Sequence, residues 1–175
     1  DRLVLSPGID VKYDSVPGYS REASRLMPHA YTTAAAGKRQ LKQQLTAMRD
    51  GGTVVMVTPN DPFRCPPGPY ERACMIAHFL KTKKPKSKLV ILDPKKAFSK
   101  QAVFTEAFDK YYKSIIELNL TTEIDDYAVT SLDPKTREIV TKAGKKVKAD
   151  VANIIPQQRA GETRASLDRS RTGVF

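Results

Sequence analysis

Several features that would assign a function directly are missing from this sequence. No apolar run approaches the roughly 18 residues that a membrane-spanning helix needs, and no signal peptide is recognisable. The two cysteines, Cys65 and Cys74, are too few for a disulfide-rich scaffold or a structural zinc site. The two histidines, His29 and His78, lie far apart, and His78 falls within a helix pattern. We therefore expect no transmembrane segment and no metal site.

The composition indicates a folded chain, and the first residues lead to an expectation about its start. Hydrophobic residues make up 40% of the 175 residues, which is enough for a packed core. The chain opens at Asp1 with DRLVLSPG, which indicates a short strand that ends in a turn at Pro7 and Gly8. Because no leader precedes this strand, we expect an internal fragment or a processed chain.

The formal net charge of +11 favours nucleic acid, anionic membranes or acidic proteins as partners. The charge is concentrated in KTKKPKSK at residues 81–88 and KKVK at residues 145–148. Neither run is interleaved with the aromatic residues that a single-strand-binding surface requires. We interpret both runs as solvated lysines at a helix end and a hairpin, and we expect no sequence-specific binding of nucleic acid.

The central part of the chain alternates apolar strands with a periodic helix. TVVMVT at residues 53–58 and KLVIL at residues 88–92 are typical of parallel strands that are covered on both faces. The helix between them is predicted to start at Pro69, a residue that suits the first turn of a helix. This order predicts a right-handed parallel α/β core over residues 53–118. The buried face of the helix is predicted to contain Ala73, Ile76, Ala77 and Leu80.

Two further helices flank this unit. Residues 32–48 are predicted to form a helix, because Leu41 and Leu45 recur on one face. Another helix is predicted after Ser99, which is a suitable N-cap. The buried face of that helix is predicted to consist of Phe104, Ala107, Phe108, Tyr111 and Ile115.

After Leu120 the pattern changes to short strands that are separated by turns. DYAVTSL, REIVT and KVKADVANIIP predict an antiparallel layer over residues 127–155, in which residues 151–155 return to an apolar strand. The tail after Gly161 shows no periodicity. The predicted fold class is therefore α/β, with a parallel sheet and an antiparallel β-meander.

The turn after the first buried strand departs from a nucleotide-binding turn. Such a turn presents backbone N–H groups to a pyrophosphate and requires glycine at set positions. NDPFRCPPGPYE, residues 60–71, contains one glycine and four prolines, and proline has no N–H to donate. We therefore expect no binding of NAD. Asp93, at the end of the second strand, is then predicted to cap a helix or turn and not to bind a ribose.

The same turn carries Cys65, for which the residues leave two interpretations open. The prolines stiffen the turn, while Arg64 and the following helix N-terminus favour the reactive thiolate. Alternatively, Cys65 is a small buried hydrophobic residue. Cys74 lies near the apolar stripe of the helix and is predicted to be packed and inert. We expect no disulfide between the two.

Several segments resemble, in order, the flavoprotein subunit of flavocytochrome c sulfide dehydrogenase. The most specific is CPPGPYER, and DRLVLSPGID, MPHAY, DGGTVV and NIIPQQRAG extend the resemblance over residues 1–161. Related sulfide:quinone oxidoreductases share the fold but resemble the proline turn less closely. The resemblance implies a glutathione-reductase-like FAD/NAD(P) fold of three domains, one of them a three-layer, Rossmann-type NAD-like domain that binds no NAD.

The resemblance also implies a division of this chain. Residues 1–10 would end the first segment of the FAD domain, and residues 11–50 would form a connecting segment and helix. Residues 51–150 would form the NAD-like domain. Residues 151–175 would return into the FAD domain and end in a tail.

The function that the resemblance implies is the oxidation of sulfide. In the family, FAD is bound covalently, sulfide attacks a redox-active disulfide over the flavin, and a c-type cytochrome subunit accepts the electrons in the periplasm. Cys65 matches one cysteine of that disulfide. Pro7 and Gly8 match the turn where the chain leaves the FAD domain, and Pro156, Gln157 and Gln158 match a loop that returns to the flavin.

Other essential parts of such an enzyme are missing from these 175 residues. The flavin-linking cysteine, the GxGxxG of the FAD domain and the second disulfide cysteine are not present, so the isolated chain is expected to be inactive. Two alternatives remain: a flavoprotein of the same fold that reduces a quinone, and a basic binding module for nucleic acid or protein in which Cys65 is incidental.

Overall fold

A computed structural model describes residue 4, residues 8–31 and residues 35–161 of the chain. Its centre is a parallel sheet of four strands: β2 (Thr53–Val57), β3 (Lys88–Asp93), β4 (Ile116–Leu120) and β8 (Val151–Ile154). Their order in the sheet is β4-β3-β2-β8. Because β2 and β3 are parallel neighbours, the predicted parallel α/β core is confirmed.

The apolar runs of β2 and β3 serve two separate cores. Successive side chains of a strand point to opposite faces of the sheet. Val54 and Met56 therefore pack on one face with the helices, whereas Val55 and Val57 pack on the other face with the meander. Burial on both faces explains why the sequence of β2 shows no polar alternation.

Three helices cover the first core. They are α1 (Ala35–Ala47), α2 (Gly68–Lys83) and α3 (Gln101–Tyr112). The predicted buried face of α2 is confirmed in full, and α1 buries Leu41 and Leu45 as predicted. Helix α2 begins one residue before Pro69, and residues 32–34 lie outside the described residues.

The sequence prediction for α3 is wrong in three places. Ser99 does not cap the helix, because the N-cap is Lys100 in the left-handed conformation and no side chain caps the first turn. Tyr111 is 50% exposed, so it does not belong to the buried face, whereas Tyr112 packs against the core. Ile115 is buried but lies beyond the helix end, immediately before the unpredicted strand β4.

The second core is covered by an antiparallel meander. Its strands are β5 (Val129–Asp133), β6 (Glu138–Thr141) and β7 (Lys146–Lys148). Leu132 and Ile139 supply buried side chains from this layer. The prediction that the antiparallel layer extends to residue 155 is wrong, because β8 pairs in parallel with β2. The long connection over residues 121–150 allows this parallel pairing.

The first and last described segments pair with each other. Strand β1 (Ile9–Val11) lies antiparallel to β9 (Gln158–Ala160), and two short 3-10 turns follow β1, at Tyr13–Ser15 and Ala23–Arg25. Most of the strand predicted in DRLVLSPG, and the tail over residues 162–175, lie outside the described residues. The division into domains stays a prediction.

Among the described residues, no helix has the length and apolar character to cross a membrane.

Candidate functional site

The turn that carries Cys65 lies at the carboxyl-end edge of the parallel sheet. Residues 58–67 follow β2, residues 94–100 follow β3, and residues 155–157 follow β8. Because these strands are parallel, their three loops emerge at one edge. The chain runs outward from β2 to β4 and then returns to the other side of β2. In open α/β sheets, ligands bind at this kind of switch point.

Cys65 is exposed and its backbone is held in an uncommon conformation. Its φ of 57° lies in the left-handed region, which a residue with a side chain seldom adopts. Its carbonyl oxygen accepts a hydrogen bond of 2.8 Å from the N–H of Gly68. A Cβ at Gly68 would lie 3.2 Å from the Cys65 sulfur and 2.8 Å from the Tyr31 hydroxyl, so a larger residue there would displace that hydroxyl.

Tyr31 adds a second constraint that the prolines alone do not supply. Its hydroxyl oxygen lies 2.7 Å from the carbonyl oxygen of Arg64 and 2.8 Å from that of Cys65. Burial raises the pKa of Tyr31 to about 12, so the hydroxyl keeps the proton that it donates to these carbonyls. Tyr31 therefore restrains the turn at two consecutive carbonyls, those of Arg64 and Cys65.

The two cysteines differ in environment. Cys65 is exposed, so its interpretation as a buried hydrophobic residue is wrong. Cys74 is half-buried against the first core, as predicted, and burial raises the pKa of its thiol. Both are free, and no disulfide joins them.

The structure brings the cysteine turn and the returning loop together. The N–H of Arg64 donates to the side-chain oxygen of Gln158 at 2.8 Å, and the amide nitrogen of the same side chain donates to the carbonyl of Pro156. Gln157 is tied to the segment after β1, since its N–H donates to Ser15 Oγ. Sequence reasoning matched Gln158 to the flavin loop but did not predict its contact with the cysteine turn.

The remaining predicted cofactor residues that the structure describes lie beside the β1–β9 pair or in the loop after β8. The carbonyl of Gly8 accepts a hydrogen bond of 3.2 Å from the N–H of Gly161, beside the β1–β9 pair. Pro7 lies outside the described residues. Pro156 is buried, and Gln157 is half-buried. The assignment of these four residues to a cofactor stays a prediction.

The cavity at the switch point is smaller than a cofactor site. This cavity, lined by Val57, Asn60 and Gln157, has a volume of about 90 Å³. Sites for small molecules and cofactors usually occupy ~300–1,000 Å³. Hydrogen bonds within the chain already use the N–H of Gln157 and the side chain of Gln158. This cavity is therefore too small for a cofactor of that size.

A buried polar cluster lies behind the cysteine turn. Asp93 is fully buried and accepts the backbone N–H of Lys95 at 3.0 Å, which confirms the predicted turn cap. The ammonium of Lys95 lies 2.8 Å from the same carboxylate oxygen, and the hydroxyl of Tyr70 donates to the other oxygen. Burial, together with the Asp93 charge, raises the pKa of Tyr70. A ribose could reach Asp93 only by displacing these partners.

A second polar cluster connects α2 with the segment before α1. The guanidinium of Arg72 donates to the carbonyls of His29 and Ala30 and to the side chain of Asn153. Burial lowers the pKa of Arg72. The His29 ring nitrogen Nδ1 accepts the N–H of Tyr31 at 3.1 Å, and burial together with Arg72 lowers the pKa of His29. The cluster holds residues 28–31 beside the cysteine turn.

Acidification is expected to destabilise this cluster. The pKa of His29 lies lower in the folded chain than its ordinary value of 6.5, so the unfolded chain binds the additional proton. The stability that neutral His29 contributes is therefore present above pH 6.5 and is lost as the pH falls through the folded pKa. Urea denaturation between pH 7.5 and 5 measures this loss, since a midpoint can be compared at each pH.

Two variants identify the histidine responsible. His29→Gln cannot be protonated and should flatten the pH dependence in this window. His78 is exposed on α2, so His78→Gln should leave it unchanged. An unaltered pH dependence in His29→Gln would contradict the assignment.

No group of three His, Cys, Asp or Glu side chains that could hold a metal ion occurs among the described residues.

Comparison with protein families identifies the family of the chain. Residues 38–156, more than half of the chain, match the family model described as sulfide dehydrogenase (flavocytochrome c) flavoprotein chain, central. The resemblance inferred from CPPGPYER and its flanking segments is confirmed. The chain therefore belongs to this family and contains the central region of its flavoprotein.

Proposed function

We propose that the intact protein is an FAD-dependent sulfide dehydrogenase, and that this chain supplies its NAD-like domain and one redox-active cysteine, Cys65. Membership of the family supports the enzyme class and implies FAD in the intact protein. The observation that carries the assignment of Cys65 is its exposure at the switch-point edge, in a turn bonded to the returning loop. The intact protein would have the glutathione-reductase-like arrangement of domains.

The proposed chemistry of Cys65 is thiol–disulfide exchange. Hydrosulfide attacks the partner sulfur of a disulfide that includes Cys65. A new S–S bond forms between the attacking sulfur and the partner sulfur, which becomes a persulfide. The electron pair of the broken disulfide bond stays on Cys65, which leaves as a thiolate. Helix α2 begins three residues later, and its positive N-terminal end favours that anion. The flavin would supply the acceptor for the two electrons.

The electrons would then leave through a separate protein. The family name includes flavocytochrome c, which supports a c-type cytochrome chain as the partner. A periplasmic location is part of the same proposal, since it rests on the family resemblance. Family membership favours this enzymatic role over the basic binding module.

The test is the anaerobic addition of sulfide to the purified intact flavoprotein. We expect sulfide to bleach the visible absorbance of the oxidised flavin and added cytochrome c to restore it. NADH should leave the spectrum unchanged, because four prolines replace the N–H donors of the dinucleotide turn. A flavin that stays oxidised in excess sulfide would show the proposal to be wrong. If a quinone, but not cytochrome c, restores the absorbance of the oxidised flavin, the electron acceptor is a quinone.

A further inference from the structure

The most unusual charged residue in the described part of the chain is Lys95. It is 7% exposed, although lysine is almost never buried without a partner. Its ammonium lies 2.8 Å from an Asp93 carboxylate oxygen, 3.1 Å from the hydroxyl of Thr58 and 2.6 Å from the carbonyl of Pro59. These contacts use the three donors of the ammonium group.

Thr58 and Pro59 are the first residues of the turn that carries Cys65. Lys95 also reaches the middle of this turn, since its ammonium lies 5.2 Å from the centre of the Phe63 ring, within cation–π distance. One buried cation therefore contacts the turn at its start and again two residues before Cys65.

The end of the turn is tied to the same carboxylate. Tyr70 lies in the first turn of α2, and its hydroxyl donates to Asp93. Its ring stacks on Phe98, with ring centres 3.6 Å apart, which leaves the hydroxyl little freedom to turn away. Asp93, the last residue of β3, is thus connected to the start of the turn through Lys95 and to the helix after the turn through Tyr70.

The cluster is neutral overall, and each of its groups is paired. It contains one ammonium, one carboxylate and one hydroxyl that keeps its proton. Replacing such a pair with apolar residues is often neutral or stabilising, so stability alone does not explain a buried ion pair. A fully satisfied polar network does, however, favour one geometry of the groups that it connects.

We propose that Lys95, Asp93 and Tyr70 are positioning residues that hold Cys65 at the place where its sulfur reacts. This inference rests on the proposed function of Cys65. Errors of about 1 Å in the placement of reacting groups can reduce a rate by about a hundredfold. Contacts that restrain an exposed turn reduce such errors, and the network makes these contacts at each end of the turn.

The test uses a double variant of the intact flavoprotein, Asp93→Asn with Lys95→Met. It removes both charges together, so no unpaired ion is left in the core, and methionine keeps much of the lysine volume without a donor. The matched control is Glu117→Gln with Lys145→Met, which removes an ion pair between β4 and the residue before β7. Thermal unfolding should remain close to that of the parent in both.

The first readout is amide hydrogen exchange in the cysteine turn. The N–H groups of Arg64 and Gly68 are hydrogen-bonded and report its opening. We expect both to exchange at least about tenfold faster in the double variant, corresponding to about 1.4 kcal/mol less protection. Exchange at these two positions should be unchanged in the control.

The second readout is the rate at which saturating sulfide reduces the bound flavin. We expect this rate to fall by about tenfold or more in the double variant, with the half-saturating sulfide concentration and the flavin content unchanged. A role in stability alone would not change the maximal rate of a folded protein.

Each outcome decides the inference. Unchanged exchange at Arg64 and Gly68 in a folded double variant would overturn it, and so would faster exchange with an unaltered rate of flavin reduction. If the double variant does not fold, Tyr70→Phe removes one hydrogen bond and should still accelerate exchange at Gly68; no acceleration would overturn the inference. If the parent flavin is not reduced by sulfide, the proposed function fails, while the exchange rates still decide whether the network fixes the turn.

Discussion

Cys65→Ser in the intact flavoprotein is expected to reduce the rate of sulfide-dependent flavin reduction to the background rate. A hydroxyl cannot form the disulfide that the proposed exchange needs, and it is a much poorer leaving group than a thiolate. The side chain of Cys65 is exposed, so serine fits the same turn without disturbing the core. The measurement is the absorbance of the bound flavin after rapid anaerobic mixing with sulfide.

The matched control is Cys74→Ser. Cys74 is half-buried on α2 and packs against the first core, so this variant should keep the parent rate, with at most a small loss of stability. The flavin content of both variants should equal that of the parent. A Cys65→Ser variant that oxidises sulfide at the parent rate would show that another residue performs the exchange.

Asp93→Ala is expected to cause the largest loss of stability among the substitutions considered. It leaves the ammonium of Lys95 buried without its carboxylate and removes the acceptor of the Tyr70 hydroxyl. Breaking a buried ion pair in this way typically costs about 3–5 kcal/mol. Urea denaturation of the 175-residue chain should show this loss as a lower midpoint with an unchanged slope.

Two controls separate this effect from a general cost of removing charge. Glu123 pairs with Lys96 at the surface, where both side chains are exposed, so Glu123→Ala should change the stability very little. Asp93→Asn with Lys95→Met should recover most of the stability lost in Asp93→Ala. Equal losses in Asp93→Ala and Glu123→Ala would contradict the role of burial.

The parallel core was predictable because the pattern of apolar residues in a segment reflects which of its faces are buried. The run Thr53–Val57 lacks polar alternation since both of its faces are covered, and the helical spacing from Ala73 to Leu80 marks a single buried face. Cys65, with its neighbouring prolines, was identified from the residues in the turn and from the resemblance that they carry. These features depend on neighbours in the sequence.

Features that depend on distant partners were not predictable in the same way. The strand Val151–Ile154 is apolar, but its composition does not say which sheet it joins, and the antiparallel assignment was wrong. Ser99 is a suitable cap by type, yet Lys100 takes the N-cap position. Tyr111 fits the helical period but lies outside the face that the first core covers.

The sequence by itself determined that the turn around Cys65 is stiff and short of N–H donors, because proline limits its own backbone and cannot donate a hydrogen bond. Only the tertiary structure decided that the thiol is exposed and that Lys95 turns inward to hold the turn from behind. Lys95 and Lys96 adjoin in the sequence, yet one is buried and the other exposed. The difference arises because a lysine is buried only where the fold provides a carboxylate and further acceptors. Asp93, two positions away, supplies the carboxylate, and residues 37 and 36 positions away, Thr58 and Pro59, supply the further acceptors.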